Sequence, residues 1–192
     1  MRERILQVAA EHFVAHGYEG ASMREIAADC GITKAALYYH FAGKSELLTE
    51  VFSDYLAQLG AAIAGSLSTD QRAEQRLRAV IDALFAEPPQ RRAVMRLAMH
   101  DSGHLEPEQR AAFGRAYHEQ FLEPLRQIFA DGIDSGEFKP ADPNFYVKVL
   151  LGLLYPFFAP GGPVSGDTGA AEITALSDVL FTGVGAKTTA AP

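Results

Sequence analysis

Apolar residues recur every three to four positions along the chain and never alternate singly between turn pairs, so the sequence predicts helices throughout. The first segment, about Arg2 to His16, carries Ile5, Leu6, Ala9 and Phe13 on one stripe and stops at Gly17. Ser22 is then a good N-cap, and Glu25 three residues later completes a capping box, which predicts a short helix from Met23 to about Cys30. Gly31 ends it, because the tight turn there needs a left-handed backbone that a Cβ would penalise. Thr33 caps a third helix through Phe41, Ala42-Gly43 breaks it, and a fourth begins near Lys44 and continues to about Leu67.

Beyond it DQRAEQRLRAVIDALFA reads as a fifth helix and PQRRAVMRLAMHD, after Pro88-Pro89, as a sixth that ends at Ser102-Gly103. PEQRAAFGRAYHEQFLEPLRQIFADGIDSG predicts a long seventh helix kinked at Pro124. DPNFYVKVLLGLLYPFF and GAAEITALSDVLFTGVG close the chain on either side of the loop APGGPVSGDTG, and the tail KTTAAP is expected to be disordered.

Two short helices joined at Cys30-Gly31-Ile32 and braced by a longer one have the spacing of a helix-turn-helix, whose second helix enters the major groove of DNA. Leu37 and Phe41, four apart, face inward and turn Lys34, Ala35, Ala36 and Tyr38 outward, with Tyr39, His40 and Lys44 along the flank. Phenol, imidazole and ammonium groups donate to phosphate oxygens, and small alanines let a helix approach base edges.

The stretch from Ile5 to Leu48, AAEHFVAHGYEGASMREIAADCGITKAALYYHFAGKSELL at its centre, closely resembles the DNA-binding domain of TetR-type transcriptional regulators. That resemblance implies an all-α protein: a three-helix helix-turn-helix domain over residues 1–46 and a larger helical domain over 47–192 that binds a ligand and dimerises. It implies base-edge contacts from Lys34, Ala35, Ala36 and Tyr38, and phosphate contacts from Ser22, Arg24, Thr33, Tyr39, His40 and Lys44. It also implies that Lys44 couples movement of the fourth helix to the grip on DNA. Two departures stand out: Gly43 replaces the family's usual Ser or Asn, a weaker cap, and only Arg2 and Arg4 offer a basic arm at the N-terminal end.

The net charge of −7 excludes a protein that coats nucleic acid by bulk positive charge. Through Glu50 the chain has five basic against seven acidic residues, so any basic patch there is a matter of arrangement. One cysteine, Cys30, rules out an intrachain disulfide and reads as a small buried hydrophobe. The N-terminal segment lacks the apolar run of a signal peptide, and Phe145 to Phe158 is too short to span a membrane. A cytoplasmic protein without a membrane partner is expected.

The partners expected are a double-stranded, palindromic DNA operator, a second copy of the chain, and a small, mostly apolar effector that releases a repressor from DNA, with neither cofactor nor metal. Phe85, Met95, Met99, His100, Phe113, Tyr117, His118, Phe121 and Tyr155 are the expected ligand-binding residues, an aromatic and methionine set with a few polar anchors. The dimer is expected through about Asp142 to Phe158 and Ala170 to Gly185, too apolar to hide every face inside one small domain. The rival reading is an all-helical enzyme or metal-binding protein using His100, His104 and His118. Of these, His100 and His104 have i,i+4 spacing, but Ser102-Gly103 interrupts the helix between them. No phosphate loop, nucleophile elbow or paired-carboxylate motif supports catalysis, so no enzyme activity is expected.

Overall fold

Ten α-helices carry the fold in a computed structural model that describes residues 1–66, 71–158 and 167–185, and among these residues there is no strand. The expected loop APGGPVSGDTG lies largely outside the described residues, as do the tail KTTAAP and Leu67. Helix α1 is Arg2–Gly20, with Ile5, Leu6, Ala9 and Phe13 buried as their spacing requires. Gly17 interrupts it at φ +67°, so the regular helix ends there and a short turn carries the chain to Gly20.

α2 (Met23–Asp29) and α3 (Lys34–His40) follow. Between them Gly31 sits at φ +69°, the Ile32 N–H donates to the Ala27 carbonyl at 3.0 Å and the Gly31 N–H to that of Ala28 at 2.9 Å. This Schellman closure satisfies the last carbonyls of α2 and turns the chain sharply into α3. Thr33 caps α3 as expected, its Oγ1 accepting from the Ala36 N–H at 3.1 Å. The capping box at Ser22 and Glu25 does not form: Ser22 makes no cap bond. Burial of Met23, Ile26 and Ala27 sets the start of α2 in its place.

α4 (Lys44–Ser66) runs from the helix-turn-helix into the rest of the molecule. Glu46 reaches back to accept from the Ala42 N–H, so a carboxylate at the positive end of the helix takes the part that Gly43 cannot. α5 (Ala73–Ala86) is capped from a distance by Glu137, whose two carboxylate oxygens accept from the N–H groups of Ala73 and Glu74 at 3.0 and 3.3 Å. α6 (Pro89–Asp101) then leads through a 3₁₀ turn, Ser102–His104, to α7.

The expected seventh helix is α7 (Pro107–Tyr117), a π turn (His118–Leu122) and α8 (Glu123–Asp134). Pro124 has no N–H for the carbonyl four residues back, and the preceding Glu123 N–H bonds five residues back to His118. Buried Arg76 on α5 donates to Asp131 on α8 at 2.6 Å, and this bond holds the Asp131 carboxyl below the usual carboxylate range. α9 (Pro143–Leu154) and α10 (Asp167–Val184) close the fold. The Lys139 N–H donates to the Val184 carbonyl at 2.8 Å and its ammonium to Gly183 at 2.7 Å, pinning the end of α10.

Packing around Gly132 on α8 generates a paired prediction. A Cβ there would lie 2.3 Å from the Phe138 ring, whereas a Cβ at Gly114 on α7 would meet nothing within 4 Å. Gly132→Ala should lower thermal stability by about 1–3 kcal/mol through overpacking. Gly114→Ala should raise it by about 0.5–1 kcal/mol by removing the entropy cost of a helical glycine. Thermal melts of both variants check the pair.

Candidate nucleic-acid interface

α3 buries Leu37 and, at its C-cap, Phe41, at 0% and 1% exposure, which leaves the opposite face to solvent. Lys34, Ala35 and Thr33 are exposed, Ala36 is half-buried, and Tyr38 and Tyr39 are 43% and 88% exposed. The Lys34 ammonium lies 5.5 Å from the centre of the Tyr38 ring, so two of the four expected base-reading residues form one cationic aromatic unit. Tyr39 and His40 pack edge to face at 5.6 Å with both rings exposed. An exposure of 88% for a tyrosine has no explanation in packing and leaves its hydroxyl free to reach a phosphate.

Ser22 and Arg24 stand at the start of α2, next to the residue whose carbonyl Lys44 holds. The Lys44 ammonium donates to the carbonyls of Glu19 and Ala21, each at 3.2 Å, and so holds the start of α4 one residue from the N-cap of α2. The same ammonium stands 4.5 Å from the centre of the Tyr18 ring. Two of its three N–H donors are thus committed within the protein, leaving one for a phosphate. Arg24 is exposed and Ser22 half-buried. Arg2 and Arg4, the expected arm, are exposed but engaged within the protein: Arg2 pairs with Glu50 and lies over Phe41, and Arg4 reaches the Asp29 carbonyl at 3.5 Å.

The sequence reading missed the joint behind this surface. His104, in the turn after α6, stacks on Tyr18 at 4.5 Å with ring planes 16° apart. Ser45 Oγ lies 3.1 Å from Gln109 Oε1 on α7. Burial, then the nearby Glu19 and Glu106, raise the Tyr18 phenol above its ordinary value, so it stays neutral beside Lys44. Tyr18 and His104 stand too far apart in the chain to carry a periodic signal of contact, so only the fold reveals them.

The expected ligand set divides. Phe113, Tyr117 and Phe121 pack ring on ring, at 6.2 and 5.3 Å between successive centres, with Phe52 5.3 Å from Phe113. Phe85 packs on Phe157 and Phe158, Met95 is buried, Met99 is 58% exposed and His118 is exposed. His100 donates to or accepts from the Tyr155 hydroxyl at 2.6 Å. A cleft of 300 Å³ between α1 and α6 is lined by His100 of this set, and a groove of 1050 Å³ between α1, α4 and α6 is lined by none of the nine. His100, His104 and His118 do not converge, and among the described residues no three His, Cys, Asp or Glu side chains stand together as a metal site. Cys30 is buried, and burial pushes its thiol up. Among the described residues no helix is long and apolar enough to cross a membrane.

Residues 5–51 match the family model of bacterial regulatory proteins of the tetR family, and residues 70–177 match that of the tetracyclin repressor-like C-terminal domain. The chain belongs to the TetR family of DNA-binding transcriptional regulators. The HTH-type transcriptional repressor KstR2 of Mycolicibacterium smegmatis is 25% identical over 170 residues, which cover 86% of this chain and 83% of that protein. The TetR family regulator PfmR from Thermus thermophilus superposes with a TM-score of 0.80 at 28% identity, over 93% of this chain and 97% of that one. AibR, solved in complex with isovaleryl coenzyme A and operator DNA, gives 0.81 at 24% identity over 94% and 97%, a likeness of fold. The family matches account for the helix-turn-helix and the helical bundle behind it.

The side chains of this TetR-family surface separate into two kinds. Tyr39→Ala and Lys34→Ala should change folding stability by less than ~0.5 kcal/mol, since both side chains are exposed and touch only exposed neighbours. Lys44→Met should cost about 1–2 kcal/mol by orphaning two carbonyls and vacating the Tyr18 ring. Chemical denaturation of the three variants reads the difference.

Proposed function

We propose that this TetR-family protein is a ligand-responsive repressor that binds a palindromic operator as a homodimer and is released by a small, mostly apolar molecule. The observation that carries the DNA-binding half is the α3 face: a buried Leu37 with Lys34, Tyr38, Tyr39 and His40 outward and unneeded by the core. Lys34, Ala35, Ala36 and Tyr38 face base edges, and Ser22, Arg24, Thr33, Tyr39, His40 and Lys44 hold phosphates. The domains divide at residues 46 and 47, within the first turn of α4, the one helix that belongs to both. KstR2, named a repressor, favours repression over activation.

Dimerisation is supported by α9 and α10, where Phe145 and Val179 are 55% and 64% exposed on helices whose opposite faces are buried. A twofold axis would cover that apolar face twice with one patch. The effector would part the aromatic set around Tyr117, whose phenol burial pushes up to about 12 and which begins the deformable π turn. Tyr117, His118, His100 and Tyr155 are its candidate anchors.

The test uses an operator selected from random-sequence duplexes. Lys44→Ala should weaken binding to every sequence and lower the salt slope by about one counterion, Tyr39→Ala should weaken it with little change in slope because its phenol carries no charge, and Lys34→Ala should also relax sequence preference. Retention of wild-type gel shifts after Lys34, Tyr38, Tyr39 and Lys44 are all replaced by alanine would exclude this surface. Sedimentation should show a dimer at micromolar concentration, and a monomer both free and on DNA would exclude the dimer.

A further inference from the structure

His12 stands beside Phe13 on α1, a place where an apolar side chain would serve the core as well. Its side chain is only 13% exposed, and its Nδ1 is buried without a hydrogen-bond partner. Its Nε2 lies 2.7 Å from Asp29 Oδ2 at the end of α2. The tautomer with its proton on Nε2 satisfies both facts, since it donates to the carboxylate and leaves Nδ1 a bare lone pair. A buried ring nitrogen without a partner is a cost that an apolar residue would not carry. What the imidazole adds is direction.

Asp29 is the point at which a directed bond has the longest reach. It is the last residue of α2, and the turn beyond it is closed by the Gly31 and Ile32 N–H groups on the carbonyls of Ala28 and Ala27. That closure makes the end of α2 and the entry to α3 one rigid piece. Arg4 Nη2 holds the Asp29 carbonyl at 3.5 Å, so α1 grips this residue by its side chain and its backbone. The remaining hold on α2 is burial of Met23, Ile26 and Ala27, which is apolar and non-directional.

We infer that His12 is a positioning residue for operator recognition: through Asp29 it fixes the end of α2 and, with it, the face that α3 turns to the bases. This rests on the DNA-binding reading above and assigns neither His12 nor Asp29 a contact with DNA. Base-edge contacts depend on the placement of the helix, whereas phosphate contacts through long side chains tolerate small rotations. Loss of the bond therefore falls on sequence preference and leaves the salt slope alone.

The test titrates the full-length protein against a selected operator and a scrambled duplex of equal length, at several salt concentrations. His12→Leu and Asp29→Ala should each weaken operator binding about tenfold. Neither should weaken binding to the scrambled duplex or change the salt slope. Asp29→Asn loses the same charge but keeps an oxygen acceptor for Nε2–H, and should stay within about twofold of the wild type. The His12→Leu, Asp29→Ala double variant should be no worse than either single one, because both remove one bond. Thermal melts set a working temperature at which every variant is folded, and exposed Asp29 supplies the test should His12→Leu not fold. Unchanged operator affinity, equal losses on both duplexes, an Asp29→Asn variant as impaired as Asp29→Ala, or additive losses would overturn the inference. Those outcomes leave the DNA-binding reading standing, whereas a wild-type protein for which no preferred duplex can be selected would overturn both.

Discussion

The ammonium of Lys44 ties together three parts of the chain that the DNA-binding surface needs in fixed relation. It holds the carbonyls of Glu19 and Ala21, where α1 ends and α2 begins, from the first residue of α4, and it rests on the Tyr18 ring. Tyr18 in turn carries His104 from the turn behind α6. Without that knot the recognition helix would still fold, since Leu37 and Phe41 are buried by its own neighbours. Its angle to the bundle, however, would be set only by apolar packing, which is non-directional. Two charge-assisted hydrogen bonds and a stacked ring pair convert a greasy contact into an oriented one.

The apolar stripe of α1 supplies the rest of the joint. Ile5, Leu6, Ala9 and Phe13 are fully or nearly fully buried, and α1 packs against both α4 and α6. α1 therefore belongs to two layers: it braces the helix-turn-helix and roofs the groove that Tyr55 lines. A change in the spacing of α4 and α6 reaches α3 through α1, through Lys44 and through the three-residue link from α3 to α4. The mechanical reading of the regulator rests on that constraint, which follows from close packing rather than from any single contact.

Local signals made most of the helices legible in the sequence. Gly17, Gly31 and Pro124 act within a turn of themselves, and the structure places a break, a left-handed turn and a π turn where they stand. The Ser22 box failed because a capping pair competes with burial, and Met23 is drawn into the core. Glu46 and Glu137 cap helices whose own cap residues are poor, one from nearby and one from 63 residues away, and only the first is within reach of sequence reasoning. The outward face of α3 could be read because Leu37 and Phe41 fix its phase. The large groove could not, since its lining comes from three helices far apart in the chain, and an aromatic-rich composition does not distinguish a cavity from rings packed against one another.

The central claim, that the orientation of the recognition helix is set through the Tyr18, His104 and Lys44 joint, is most directly tested by a double-mutant cycle on operator affinity. Tyr18→Leu, His104→Ala and the double variant would each be titrated against a selected operator at fixed salt. The stacked pair predicts a coupling energy in DNA binding of about 0.5–1.5 kcal/mol, although neither side chain is assigned a DNA contact. Additivity within ~0.3 kcal/mol would contradict the claim and leave the joint a structural contact with no hold on the DNA-binding surface.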